Sequence, residues 1–227
     1  MKVSICTPVF NNWYLTESYL KDLGHLPDDH EIIIVNNGST DKTFEKLHIG
    51  NSSWPKNLKV ISLNENTGFA IGSNTAYKAS SGEYILFLNN DIKVKKDHSN
   101  WTEILIERAK DGCLVGPTIG ILDNNFNFKC EAKKMPREGL VYMSGWNLMA
   151  RRDIWEKLII DDGPFITVSK AYFEDVDLSF RAKELGIGFE IVDVPVMHIG
   201  KMTSKKVGLS ELYLDAKKKF IEKWGAK

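Results

Sequence analysis

Tyr84-Ile85-Leu86-Phe87-Leu88-Asn89-Asn90-Asp91 is a run of five apolar residues that ends abruptly in two amides and a carboxylate. A short apolar run bounded by turn residues reads as a strand buried on both faces. In open parallel sheets, ligands sit at the carboxyl edge of such strands. Asp91 would be a hard oxygen ligand for Mg²⁺ or Mn²⁺ there, and the amides would serve sugar hydroxyls or phosphate oxygens. Taken alone, Asn-Asn-Asp reads first as a polar turn. The rest of the chain shifts that balance.

The same pattern recurs upstream. Residues 3–7 read as a strand stopped by Pro8, 31–35 as a strand running into Asn36-Asn37-Gly38-Ser39-Thr40-Asp41, and 58–63 as a strand breaking into Asn64-Glu65-Asn66-Thr67-Gly68. Helices fit between them. Asn12 is placed to cap one through about residue 23, with Trp13, Leu15, Tyr19, Leu20 and Leu23 on its apolar positions. Ser39 or Thr40 is placed to cap a second, and small residues form a third to about Ala79. Strand and helix alternating in units of about 25–30 residues is the rhythm of a parallel sheet. Right-handed crossovers would then gather Pro8, Phe10, Asn37, Asn64 and Asp91 along one edge.

The second half is less regular. A helix is expected over 97–110, a short strand over 113–117, a hairpin or ordered loop over 119–137, and a strand over 140–150 interrupted at Ser144-Gly145. Helices are expected over 151–158 and 173–185 and a strand over 189–194, with Pro195 leading to His198. Leu209, Leu212, Tyr213, Ala216, Phe220 and Trp224 repeat at helical spacing, so an amphipathic helix is expected over 208–227.

With 227 residues, 43% hydrophobic and 26% charged, the composition is that of a soluble globular chain. Lys+Arg and Asp+Glu are both 30, which argues against bulk nucleic-acid binding. Three widely spaced cysteines form neither a metal pattern nor a disulfide framework, so a reducing cytoplasm is expected. No stretch approaches the ~20 apolar residues of a membrane helix.

Two further features carry chemistry. Glu174-Asp175-Val176-Asp177 follows Tyr172-Phe173. Acidic residues suit a helix's first turn, and Asp177 and Arg181 should pair on the helix surface. An apolar wall beside a carboxylate also raises its proton affinity, which suits a general base. His198, past a strand and before Gly200, is either structural or a metal ligand completing the set begun by Asp91.

Taken in order, Pro8-Val9-Phe10-Asn11, Val35-Asn36-Asn37-Gly38-Ser39-Thr40-Asp41, Asn66-Thr67-Gly68-Phe69-Ala70, the stretch ending at Asn89-Asn90-Asp91, and Glu174-Asp175-Val176-Asp177-Leu178-Ser179-Phe180-Arg181 resemble the family 2 inverting glycosyltransferases, closest to the rhamnosyltransferase-like branch. The resemblance covers residues 2 to about 200. It implies a GT-A fold: α/β, with a Rossmann-like, mostly parallel central sheet flanked by helices and a smaller mixed acceptor-side half. One domain over 1–227 is expected, with a nucleotide-sugar-binding half (1–96), an acceptor and catalytic half (97–207) and the terminal helix. The resemblance places Pro8, Val9, Phe10, Asn37, Asn64, Gly68, Asn74 and Asn90 around the donor nucleotide. Within that set Phe10 packs on the base, Asn37 accepts from uracil and Asn90 lies near the ribose. Asp91 and His198 would hold Mn²⁺ or Mg²⁺. Asp175 would be the base, with Glu174 and Trp146 near the acceptor. Asn89 stands where a first aspartate is common, and Asn37 replaces an aspartate, so uracil or another base could be read there.

The implied reaction moves a sugar from a UDP- or dTDP-sugar to a hydroxyl of a glycan or lipid-linked acceptor. Trp146 is equally readable as core packing. Lys217, Lys218, Lys219 and Lys223 beside Phe220, Ile221 and Trp224 could rest on the inner face of an anionic membrane, or the helix could pack its stripe on the domain. A non-catalytic sugar-nucleotide-binding module is the alternative. A sugar-phosphate nucleotidyltransferase is disfavoured, because no glycine-rich loop follows the first strand.

Overall fold

The computed structural model describes residues 1–95, 98, 100–200 and 209–225. The first half alternates strand and helix: β1 (Val3–Val9), α1 (Trp13–Leu23), β2 (His30–Asn37), α2 (Thr43–Ile49), β3 (Leu58–Leu63), α3 (Phe69–Lys78) and β4 (Tyr84–Leu88). These strands are parallel, in the order β3-β2-β1-β4. Their unbroken apolar sequences follow from burial on both sides. Tyr84, Leu86 and Leu88 face one core with Trp13, Tyr19 and Leu20, while Ile85 and Phe87 face the other with Ala76, Trp155 and Phe165. The strand β4 ends at Leu88, not Asp91 as the sequence suggested, because Asn89-Asn90-Asp91 turns the chain into β5 (Ile92–Val94).

The second half comprises α4 (Trp101–Ala109), β6 (Leu114–Gly116), β7 (Ile119–Leu122), β8 (Phe128–Ala132), β9 (Leu140–Met143), β10 (Asn147–Arg151), α5 (Arg152–Lys157), α6 (Glu174–Glu184), β11 (Phe189–Ile191), β12 (Val196–His198) and α7 (Leu209–Trp224). The sheet runs on through it as β11-β6-β10-β4-β1-β2-β3, with β10 antiparallel to β4 and β6. The open question over 119–137 resolves to a hairpin, β7 with β8, which joins β9 in a three-stranded sheet. The strand expected over 140–150 is two strands in different sheets, hinged at Ser144-Gly145-Trp146. β12 pairs with β5. The expected limits at 96/97 and 207/208, and Asp97 as a helix start, lie outside the described residues.

Three local expectations are corrected. Asn12 precedes α1 but has φ +58° and makes no side-chain cap. Ser39 and Thr40 bond to Asn11 instead. Asp41 serves both helix starts, accepting from Thr43 N–H (2.9 Å) with Oδ1 and from Trp13 N–H (3.2 Å) with Oδ2. A carboxylate there meets unpaired amides and the positive end of each helix. The Asp177–Arg181 pair is not on the surface. Asp177 is 2% exposed and accepts from Arg181 Nε (2.7 Å), Lys223 Nζ (2.6 Å) and Trp224 Nε1 (2.8 Å).

That carboxylate pins α7 to α6. Ala216, Phe220 and Trp224 are buried against Phe173, Val176 and Phe180, so the apolar stripe that a membrane would need is spent on the domain. Lys217, Lys219 and Lys223 bond to Asn127, Asp215 and Asp177. No helix among the described residues is long and apolar enough to cross a membrane. Removing one partner of a buried ion cluster strands the others, at a cost of about 3–5 kcal/mol. Asp177→Ala should therefore lower the urea-unfolding free energy by about that amount, and a loss below 1 kcal/mol would show that the cluster does not anchor α7.

Candidate active site

The carboxyl edges of β1, β2 and β4 do converge, and each polar residue there has a definite job. Asn37 is buried, and its amide is fully engaged: Oδ1 accepts from Thr67 N–H (3.0 Å) and Thr67 Oγ1 (2.8 Å), and Nδ2 donates to Asn66 Oδ1 (3.2 Å) and Gly68 O (2.9 Å). It holds the 66–68 turn and, as it stands, has no free group to read a base. Asn74 is likewise used internally, its amide bonding both N–H and C=O of Phe165. The same physics explains both: a buried amide satisfies its own donors and acceptor within the chain. Asn64 is exposed at the end of the outermost strand β3. Gly68 has φ +91°, and a Cβ there would lie 2.3 Å from Lys170 O, so the position demands glycine. Pro8 packs on Gly72, Val9 is buried, and Phe10 is half-buried at the mouth of the edge. Asn90 donates to Thr16 Oγ1 (3.0 Å).

Asp91 and His198 meet. The β5–β12 pairing sets His198 opposite Ile92, and Ile199 N–H donates to Asp91 O (2.8 Å). His198 Nε2 lies 3.2 Å from Asp91 Oδ1. One hard oxygen and one imidazole nitrogen converge, and no third His, Cys, Asp or Glu joins them among the described residues. Two protein donors fit a divalent cation that takes its remaining ligands from phosphate and water, rather than a closed structural site.

Trp146 lies flat on His198, with ring centroids 4.7 Å apart and planes 7° from parallel. Its carbonyl accepts from Asn89 N–H (2.8 Å), which ties it to the end of β4. Its indole N–H donates to Thr118 Oγ1 and Glu131 Oε1, both at 2.9 Å. The preceding residue, Gly145, donates its N–H to Asp175 Oδ2 (3.0 Å). Consecutive residues of one turn therefore touch the surroundings of Asp91 on one side and Asp175 on the other. A Cβ at 145 would sit 3.1 Å from Asp175 Cβ, so a larger residue there would press Asp175 aside by a few tenths of an ångström.

Asp175 accepts a second bond from Val176 N–H (2.9 Å). Burial nevertheless pushes its carboxyl up to about 6. Glu174 is 5% exposed, its Oε1 has no partner, and burial together with the neighbouring Asp175 pushes it up to about 8. Tyr172 (φ +73°) and Phe173 (φ +65°) lead into this pair in left-handed conformations that bulky residues avoid, at about 1–3 kcal/mol each. Thr16, Thr118 and Glu131 were missed from the sequence. Thr16 lies inside a helix pattern, and the other two flank or lie in a stretch of mixed polarity with no motif.

Solved structures share this architecture. Superposition on GalNAc-T7 with UDP, GalNAc and Mn²⁺ gives a TM-score of 0.73 at 16% identity, over 97% of this chain and 47% of that one. Staphylococcus aureus TarS 1–349 with UDP-GlcNAc gives 0.63 at 23% identity, over 95% and 64%. The fold is thus that of the GT-A glycosyltransferases. The chain belongs to glycosyl transferase family 2, whose model matches residues 4–177. Among curated relatives, it is 34% identical over 113 residues to the putative teichuronic acid biosynthesis glycosyltransferase TuaG of Bacillus subtilis, covering 47% of this chain and 43% of TuaG. It is 37% identical over 95 residues to a poly(ribitol-phosphate) beta-glucosyltransferase of Bacillus spizizenii, covering 40% and 15%. The matches span less than half the length of either relative.

The raised Glu174 sets a pH dependence. Its ordinary value is 4.5 and its folded value about 8, so between these the unfolded chain ionises while the folded one holds its proton. Stability contributed by Glu174 is complete below 4.5 and is lost as pH rises through 8. Glu174→Gln should therefore raise Tm relative to the wild type at pH 8 and much less at pH 5. An equal shift at both pH values in thermal unfolding would show that Glu174 is not held neutral.

Proposed function

We propose that the protein transfers a sugar, with inversion, from a nucleoside-diphosphate donor, a UDP- or dTDP-sugar, to a hydroxyl of a glycan or lipid-linked acceptor, in the manner of the rhamnosyltransferase-like branch. One observation carries the reading: the Gly145-Trp146 turn joins the Asp91–His198 pair to Asp175. Donor recognition falls to the edge formed by Pro8, Val9, Phe10, Gly68 and Asn90, with Asn37 and Asn74 shaping that edge from behind. Asp91 and His198 would hold Mn²⁺ or Mg²⁺, which when bound neutralises diphosphate charge. The relatives' names, with teichuronic acid and poly(ribitol-phosphate), support a polymer of that kind as acceptor or product, and the cytoplasmic side is the matching location.

In this reading Asp175 takes the proton from the acceptor hydroxyl. That oxygen forms a bond to the anomeric carbon on the face opposite the diphosphate. The bond from that carbon to the diphosphate oxygen breaks, its electron pair leaves with the nucleoside diphosphate, and the configuration inverts. Trp146 is mostly buried, so it shapes the acceptor wall from behind through its stack on His198. Glu174, neutral at pH 7, stands next to the base without competing for its proton. A binding module is the second reading. The two raised carboxyls and the strained entry to α6 favour chemistry, since such features gather at reactive sites.

A base must be deprotonated to act, so kcat/KM should rise with pH through about 6, the value of Asp175. Asp175→Asn should cut turnover roughly 10²–10⁴-fold with donor affinity nearly unchanged; near-normal transfer by this variant rules out the base. Asp91→Ala should abolish the Mn²⁺-dependent part of nucleotide affinity in calorimetry. The same Mn²⁺ dependence in both proteins would remove Asp91 from cation binding.

A further inference from the structure

Glu131 lies on β8, an edge strand of the three-stranded sheet, and most of that strand faces solvent. A glutamate in such a place is ordinarily solvated. Glu131 is itself exposed, yet one of its carboxylate oxygens is engaged at the base of the strand. Its Oε1 accepts from Trp146 Nε1–H (2.9 Å) and from the hydroxyl of Thr118, and Thr118 Oγ1 is itself 2.9 Å from the same indole nitrogen. Three side chains from β8, the β6–β7 link and the β9–β10 turn thus close on one another. The indole they hold is the ring that lies parallel to His198.

We propose that Glu131 is a positioning residue for the transfer reaction, fixing the plane of Trp146 and, through the stack, that of the His198 imidazole. The role rests on the transferase reading above. A carboxylate facing an indole N–H makes a charge-assisted bond, stronger and more directional than a neutral one. Without it, the indole keeps only the Thr118 hydroxyl, whose own proton is then free to turn. The ring can then tilt, and a tilt of the ring pushes on the imidazole beside Asp91.

The same carboxylate also acts on the base through space. The groups facing Asp175 are Glu174 on its own helix, Glu131 from β8, Tyr142 from β9 with Tyr213 of α7 behind it, and the amides of Gly145 and Val176. Burial keeps Glu174 neutral near pH 6, and the Tyr142 phenol, raised further by burial, is neutral there as well. The Glu131 charge adds to burial in holding the Asp175 carboxyl up, while the two amides oppose it.

Two variants separate these actions. Glu131→Gln keeps an oxygen that can accept the indole proton but loses the charge, and Glu131→Ala loses both. In a ¹⁵N-correlation NMR spectrum, with Trp146 assigned through Trp146→Phe, the indole N–H signal should move in the Ala variant and stay near its place in the Gln variant. With a UDP-sugar panel and Mn²⁺, nucleoside diphosphate release in the presence of acceptor should fall about tenfold or more in kcat for the Ala variant, the loss of one hydrogen bond to a charged group. The donor KM should be little changed. The Gln variant should recover most of that rate and move the acid limb of the pH profile to lower pH. An unmoved indole signal, or a Gln variant as slow as the Ala variant with the wild-type acid limb, overturns the role. If the wild type turns over and Glu131→Ala matches it, Glu131 alone is misassigned. If the wild type releases no nucleoside diphosphate from any donor, the transferase reading fails and this role falls with it.

Discussion

The amide of Gly145 donates to Asp175, and one residue later the carbonyl of Trp146 accepts from Asn89. Almost everything at the carboxyl edge depends on that short turn. It leaves the three-stranded sheet at Met143 and enters the central sheet at Asn147, so with the link from Gly116 to Ile119 it is one of two short covalent seams between the sheets. Because β10 runs antiparallel to β4, the beginning of β10 lies beside the end of β4, where Asn89-Asn90-Asp91 emerges. Antiparallel insertion into a parallel sheet is thus what brings a second-half residue to a first-half edge.

The two carboxyls of α6 show how environment divides like groups. Glu174 is buried with an oxygen that has no partner, while Asp175 has a backbone amide for each oxygen. Burial raises both, and the amides restrain only Asp175. At neutral pH one keeps its proton and its neighbour gives its proton up, although they are adjacent in sequence. The left-handed Tyr172 and Phe173 make this arrangement attainable, and the packing of Phe173 on Tyr213 and Phe220 holds them there.

The parallel half of the fold was legible because its strands carry the plainest signal a sequence offers: a solid apolar run, then amides. Asp91, His198 and Asp175 could be named from the resemblance, but the turn at Gly145 and Trp146 that links their surroundings could not. The internal bonds of Asn37 and Asn74 could not be read, because an amide suits a ligand and a turn equally well and only three-dimensional neighbours decide. Asp177 was read as a surface residue because i,i+4 pairing is a local rule, whereas Lys223 and Trp224 arrive from 46 and 47 residues away. Glu131 was invisible for a related reason: alternation on an exposed edge strand says nothing of a side chain that reaches back across the sheet.

Asp41 has a consequence of its own. By accepting from the first turns of both α1 and α2, and with Asn11 bonded to Ser39 and Thr40, it rivets the loop after β1 to the loop after β2. Phe10 opens the first of those loops. Any visitor meeting these loops finds them already tied together, so the ordering entropy that usually weakens capture by surface loops is met during folding.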